Sequence, residues 1–301
     1  MPKVSFVIPT QGKRLSLERS IYSILKQSVQ DFEIIIVYDK QDEHSDNYIS
    51  QLSGKFPKLI VYHVDRRNKD GHIGQLLNFG ISKAKSEIIA RLDDDDFCHH
   101  ERMKLQLESI DSGFTLVGTQ AINISETFKY LSVTSLPLQE EQIRRYAEMR
   151  NPFVHSSVMF TLSGFEELGG YDEKLPLAQD YDLWLRFIKH EKSITNLSRI
   201  GIFHTRSANQ LTHMWTSEQR IKNMNEIGYR NLGEAYLKSN DHLERQKKFP
   251  FKILLSLNWV FPPPKTLLRR QYLMSIFRLA IANQLQAPWL VWREKREKNK
   301  T

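Results

Sequence analysis

Glu87-Ile88-Ile89-Ala90-Arg91-Leu92-Asp93-Asp94-Asp95-Asp96-Phe97 is the stretch on which the reading of this chain turns. An apolar run rises to Leu92 and gives way to four consecutive carboxylates, the pattern of a short buried strand that ends in a loop. Four like charges on neighbouring residues repel, so folding alone gives no reason to gather them. A divalent cation reverses that cost. Mg²⁺ and Mn²⁺ prefer hard oxygen ligands and bind through one or two carboxylates plus the phosphates of a substrate. Two competing readings are a solvated acidic loop and the Asp-rich N-terminus of the helix expected over 101–110. The strand-end position favours the metal site, because open α/β sheets bind ligands there.

Upstream of this run, strand and helix alternate. Residues 4–9 form an apolar run closed by Pro9-Thr10-Gln11-Gly12, a strand and its loop. Leu17, Ile21, Ile24 and Leu25 recur at helical spacing. A second strand over 32–37 ends in Tyr38-Asp39, and a helix marked by Tyr48, Ile49 and Leu52 leads to a third strand over 59–64. Ile73, Leu77, Ile81 and Ala84 then share a helical face. Near-continuously apolar strands in this rhythm predict a parallel sheet covered on both faces. Right-handed crossovers bring the loops after Pro9, Val37 and Leu92 to one sheet edge, where two of the three carry acids. Downstream the expected elements are a strand over 114–118, a helix over 138–149 and a strand over 157–162. A turn at Gly169-Gly170-Tyr171-Asp172 and a helix beginning near Asp180 follow, with further helical spacing over 217–243.

At 301 residues the chain can bury a substantial core. Its one cysteine, Cys98, excludes an internal disulfide and predicts a reducing compartment. The expectation is a cytoplasmic protein: the start lacks the long apolar segment of a secretory signal, and no apolar run reaches the roughly 18 residues of a spanning helix. The net charge of +8 is uneven. From Glu244 onward thirteen Lys and Arg face three Glu, leaving a near-neutral body with a strongly basic tail.

Taken together, these pieces resemble the family 2 glycosyltransferases of the GT-A fold. The resemblance rests on a strand ending in Pro9-Thr10, a strand ending in Asp39, Asn78 on a helix, and Leu92-Asp93-Asp94-Asp95-Asp96-Phe97. Gly169-Gly170-Tyr171-Asp172 and Gln179-Asp180-Tyr181-Asp182-Leu183-Trp184-Leu185-Arg186 complete it. It runs from about Lys3 to Thr212. The resemblance implies an α/β GT-A-like domain over 1–215, with a mainly parallel sheet flanked by helices; beyond it, helical spacing and charge predict a helical, basic extension over 216–301. It also implies transfer of a sugar from a nucleotide-diphosphate donor, expected to be a UDP-sugar, with inversion at the anomeric carbon and with Mn²⁺ or Mg²⁺.

Site residues follow by the same resemblance. Pro9, Thr10, Asp39, Asn78 and Asp93 are expected at the donor, with Asp39 on the nucleobase. Tyr38 and Lys40-Gln41 stand where Asp and Gly-Ser are common, so the base is left open. Asp93 and Asp95 form the Asp-any-Asp metal pair, with Asp95 the first choice of direct ligand. Asp93 has ribose or a bound water as alternatives, and Asp94 is expected to point away. A cation there stabilises the leaving diphosphate most in the transition state. Asp180 falls at the position of the catalytic base, in a pair reading Gln179-Asp180; the alternative role is a helix cap. Trp184 is expected in the core and Arg186 in an ion pair. His155 is expected either at the acceptor pocket or in a structural hydrogen bond, and His204 or Arg206 at the metal or diphosphate.

The tail interleaves Lys265, Arg269, Arg270 and Arg278 with apolar residues. It reads either as an interfacial helix on anionic lipid, at the cytoplasmic face of the inner membrane, or as a packed helical subdomain. Nucleic-acid binding is a third reading of the tail, but no recognised binding module supports it, and nucleic acid is not an expected partner. The expected acceptor is a saccharide or lipid-linked hydroxyl in surface polysaccharide or glycolipid assembly. The rival readings are a sugar-phosphate nucleotidylyltransferase, for which Gln11-Gly12-Lys13-Arg14 is a faint match, and a sugar-binding or scaffold protein without turnover.

Overall fold

The computed structural model of the protein describes residues 1–12, 16–39, 42–64, 73–206, 217–233 and 236. The four apolar runs of the first half form β1 (Val4–Thr10), β2 (Phe32–Asp39), β3 (Leu59–Val64) and β4 (Ile88–Arg91). They pair in parallel in the order β3-β2-β1-β4. Both β1 and β2 are buried along their whole length, the physical reason why they read as unbroken apolar runs.

The helices α1 (Ser16–Leu25), α2 (Glu43–Lys55) and α3 (Ile73–Ser82) follow the first three strands in turn. Alternation along β1 divides the core. Val4, Phe6 and Ile8 pack with Leu17, Ile21 and Ile24 of α1 and Ile49 and Leu52 of α2, whereas Val7 packs with Leu76, Leu77 and Ile81 of α3. Gly80 lets α3 lie directly on the sheet. A Cβ there would sit 2.5 Å from Val37 Cγ2 and 2.7 Å from Val7 Cγ1.

The second half is mixed. Its elements are β5 (Phe97–Cys98), α4 (Arg102–Asp111), β6 (Leu116–Ser125), β7 (Tyr130–Val133), α5 (Glu140–Ala147), β8 (Met159–Thr161), α6 (Leu162–Glu167), α7 (Gln179–Lys189), β9 (Ile194–Arg206) and α8 (Ser217–Leu232). Antiparallel β8 joins β4 to β6; β6 runs parallel to β9, and β5 closes this edge antiparallel to β9. The sheet order is therefore β3-β2-β1-β4-β8-β6-β9-β5, with β7 paired to β6.

The strand expected over 114–118 continues to Ser125. The segment expected as a strand over 157–162 opens instead with a 3₁₀ turn, His155–Ser157, before β8. Helix α4 starts at Arg102, after β5, so the four acids lie in a turn rather than at its N-terminus. On the α3 face of the sheet, α7 contributes Leu183, Trp184 and Phe187 to the core, and Trp184 is fully buried as expected. Helix α8 packs on α7. Among the described residues no helix is long and apolar enough to cross a membrane. The Lys13-Arg14 segment, the tail with Lys265, Arg269, Arg270 and Arg278, and most of the expected 216–301 extension lie outside the described residues.

Candidate active site

The carboxyl ends of β1, β2 and β4 share one edge of the sheet, as their parallel register requires. Thr10 and Asp39 end β1 and β2, and both are buried. Pro9, one residue before, pairs with Val37. Thr10 Oγ1 donates to Asp94 Oδ2 at 2.6 Å and accepts from Gly12 N at 3.0 Å. Asp94, expected to point away, does not. It turns back onto β1 because the Thr10 hydroxyl offers its carboxylate a short hydrogen bond.

The other three acids divide by environment. Asp93 is half-buried and its Oδ1 lies 2.5 Å from Arg91 Nη2, while its backbone N–H donates to Ser156 Oγ at 2.9 Å. Burial works to raise the Asp93 carboxyl, but Arg91, with His155 and His204 facing it, holds it below the ordinary carboxylate value. Asp95 is buried and its backbone carbonyl accepts Arg19 Nη2 and Thr205 Oγ1, each at 2.5 Å. Asp96 is fully buried and accepts Thr205 N–H at 2.7 Å. Burial first, then repulsion from Asp93 and Asp95, pushes its carboxyl well above the ordinary range against the pull of Ser156 and Thr205.

Strand β9 supplies the opposite wall. His204 lies beside Thr205, which is bonded to the acidic turn, and His204 Nδ1 is buried without a hydrogen-bond partner. Burial, together with the charge of Arg206, pushes His204 down to about 4, so its imidazole is neutral at pH 7. Arg206 Nε donates to Asn123 Oδ1 at 3.1 Å, which turns that guanidinium toward β6.

The third wall is the segment 151–157 and the α7 N-terminus. Ala178, in the left-handed region at φ 59°, is the N-cap of α7, with no side-chain capping bond. Asp180 lies in the first turn and accepts Asn151 Nδ2 at 2.7 Å. The capping role weighed for Asp180 is therefore absent. His155 Nε2 lies 2.9 Å from Tyr171 Oη. Burial, reinforced by Arg91, drives His155 down to about 4 despite the opposing charges of Asp180 and Asp93. The same two carboxylates act on Tyr171, whose hydroxyl is pushed up, chiefly by burial. The charges of Asp93, in the turn after β4, and of Asp180, in α7, thus act on the same two groups.

Asn78 holds the Gly169–Asp172 turn in place. Its Nδ2 donates to Tyr171 O and Glu173 Oε1, both at 2.9 Å, and its Oδ1 accepts Tyr171 N at 2.9 Å. Both amide hydrogens of Asn78 are engaged within the protein, which makes it the anchor of this turn. Gly170, at φ 71°, permits the approach: a Cβ would sit 2.9 Å from Asn78 Oδ1. Asp182, one turn into α7, is fully buried. It holds Arg186 at 2.8 Å, the ion pair expected of Arg186, and also Arg230 at 2.5 Å and Asn231 at 2.9 Å from α8.

Sequence reasoning did not single out Arg91, Asn151, Ser156, Tyr171 or Arg19. A buried arginine at a strand end carries no periodic signal, and Ser156 acts only through its hydroxyl. The available signal was Asn151-Pro152, a polar residue held extended by the proline after it. His99, His100 and Glu101 also bring potential ligand atoms within 4.8 Å of one another, at the start of α4. There, however, Glu101 N already donates to His99 Nδ1 at 3.3 Å.

The glycosyl transferase family 2 model matches residues 5–167, more than half of the chain, and the chain belongs to that family. It is a glycosyltransferase. Among curated relatives it is 29% identical over 184 residues to the amylovoran biosynthesis glycosyltransferase AmsE of Erwinia amylovora, covering 60% of this chain and 67% of AmsE. It is 29% identical over 177 residues to the O-antigen biosynthesis glycosyltransferase WbnJ of Escherichia coli, covering 56% of this chain and 65% of WbnJ. The fold is similar to that of S. aureus TarS 1-349 in complex with UDP-GlcNAc, with a TM-score of 0.62 at 15% identity, covering 85% of this chain and 76% of that one. The fold is GT-A-like, and the family has members in polysaccharide biosynthesis.

Proposed function

We propose that this crevice transfers a sugar from a nucleotide-diphosphate donor to a hydroxyl acceptor, with inversion and with a divalent cation. The observation that carries the reading is that one segment, 151–157, holds both acids: Ser156 Oγ accepts the backbone N–H of Asp93, in the turn after β4, at 2.9 Å, and Asn151 Nδ2 donates to Asp180 Oδ2, in α7, at 2.7 Å. In this reading Asp93 faces the donor diphosphate and Asp180 the acceptor hydroxyl. Relatives in amylovoran and O-antigen biosynthesis, and a TarS structure holding UDP-GlcNAc, support a UDP-sugar donor and a saccharide or lipid-linked acceptor.

The chemistry of the acidic turn suits a cation, although the ligand atoms of Asp93, Asp95 and His204 are not all within 4.8 Å of one another. Asp96 is destabilised by the charges of Asp93 and Asp95, and the neutral, unpartnered Nδ1 of His204 lies buried beside them. Asp95, Asp93 and His204 would hold Mn²⁺ or Mg²⁺, whose bound charge offsets the negative charge that builds on the leaving diphosphate. Asp39 and Thr10, at the ends of β2 and β1, bind and orient the nucleoside end. Asn78 fixes the turn that carries Tyr171. Asp180, in the first turn of α7, takes the proton from the acceptor hydroxyl while that oxygen attacks. Single displacement from the face opposite the diphosphate inverts the anomeric carbon.

Screening UDP-, GDP- and dTDP-sugars for nucleotide diphosphate release, with and without Mn²⁺, tests this reading. Cation-dependent release of a nucleoside diphosphate is expected, and NMR of the transfer product should show the inverted anomer. Release of pyrophosphate from a nucleoside triphosphate and a sugar phosphate, or a retained anomer, contradicts it.

A further inference from the structure

We infer that Asn151 is the positioning residue for the proposed base, holding the Asp180 carboxylate in its productive rotamer; the inference rests on the reading of Asp180 given above. The hydrogen bond from Asn151 Nδ2 to Asp180 Oδ2 is 2.7 Å and joins residues 29 positions apart. Its direction is set locally. Asn151 Oδ1 accepts the backbone N–H of Phe153 at 3.2 Å, so the amide cannot turn its oxygen toward Asp180 without losing that bond.

The scaffold beneath is rigid. Pro152 restricts Asn151 to extended backbone, Asn196 Nδ2 donates to Pro152 O at 3.0 Å, and Phe153 packs edge-on against Trp184 of α7 at 5.7 Å. The same α7 therefore receives both the packing contact and the hydrogen bond. With Oδ2 held by Asn151, Oδ1 is the oxygen assigned to the acceptor's proton.

The chemistry of the partner matters. A neutral amide orients a carboxylate while leaving its charge in place, whereas a guanidinium would pair with it. Asp182, two residues on, shows the contrast. It is clamped by Arg186 and Arg230 and buried. Two carboxylates on one helix thus have opposite fates, and Asn151 makes the difference for Asp180.

The test measures steady-state UDP release with Mn²⁺, using the fastest donor among UDP-glucose, UDP-galactose, UDP-GlcNAc and UDP-GalNAc. Asn151→Asp keeps an acceptor oxygen for Phe153 N–H but replaces the donor with a like charge, and Asn151→Ala removes both. The expected result is a kcat lower by roughly 10-fold or more in each, with donor KM within about 2-fold of wild type and an unchanged melting temperature for Asn151→Asp. In an Asp180→Asn background, Asn151→Ala should add no further loss, because both act through one group. A folded Asn151→Asp with wild-type kcat, or additive losses in the double variant, overturns the inference while the base reading stands. Wild-type turnover in Asp180→Asn alone overturns the base reading and this inference with it.

Discussion

Four adjacent aspartates serve different ends because each meets a different neighbour. Asp94 is spent on Thr10, Asp93 is balanced by Arg91, Asp95 is anchored through its carbonyl, and Asp96 is buried and crowded by charge. The run itself was legible as a candidate metal site, since no fold needs four like charges together. The division of labour was not, because Thr10, Arg91 and Thr205 reach the turn only through the sheet. Two predictions belong here. Asp95→Ala should abolish cation-dependent donor binding, measured by calorimetry, while leaving the circular dichroism spectrum unchanged; unaltered affinity and cation response would remove Asp95 from the ligand set. Asp96→Asn should raise the melting temperature of the cation-free protein. The raised carboxyl of Asp96 means that its ionisation destabilises the fold, so stability falls as pH climbs through that value. The gain from the amide should be present at pH 8 and vanish as pH falls toward the ordinary carboxylate range, at about 2–4 °C per kcal/mol relieved. A gain that is flat with pH would contradict the assigned cause.

Among the elements, β1 to β4 and the helices between them were readable because both faces of the sheet are covered, which makes the strands continuously apolar. Strand β9 was not anticipated, although it lines the site. Ser198 and Arg199 are exposed in its middle, where the register with β6 shifts, so no period of two survives along it. The two-residue β5 and the exposed β7 carry too little pattern to be seen. Helices α7 and α8 are joined through the buried Asp182. Burial opposes its charge, but Arg186, Asn231 and Arg230 hold its carboxyl below the ordinary value. That stability is present at neutral pH and lost as pH falls through the lowered value. Asp182→Asn should therefore cost about 1–3 kcal/mol at pH 7 in thermal or urea unfolding, with the difference narrowing below about pH 4. An equal cost at pH 7 and pH 3 would show that geometry rather than charge secures the α7–α8 contact.

For the whole molecule, the family and the GT-A architecture were legible from a handful of motifs in order, whereas donor sugar and acceptor were not. The walls of the proposed crevice come from β9, α7 and the 151–157 segment, far apart in the chain, so its shape cannot be read from any one motif. The charge asymmetry is a property of the full sequence, about +10 after Glu244 on a body near −2. Basic residues near an anionic surface contribute on the order of 1 kcal/mol each, attenuated by salt. The protein should therefore sediment with phosphatidylglycerol-containing vesicles at low salt and release as salt rises. Changing Lys265, Arg269, Arg270 and Arg278 together to Gln should abolish binding, and vesicle binding at wild-type strength by that variant, still folded, would rule out an electrostatic anchor. We propose sugar transfer in the crevice between the Asp93–Asp96 turn and the start of α7, with Asp180 as base. Its most direct measurement is turnover by Asp180→Asn alongside its donor affinity. Donor binding should stay within about 3-fold of wild type while transfer falls by roughly 10²-fold or more; a variant that binds donor and transfers sugar at the wild-type rate would contradict the account.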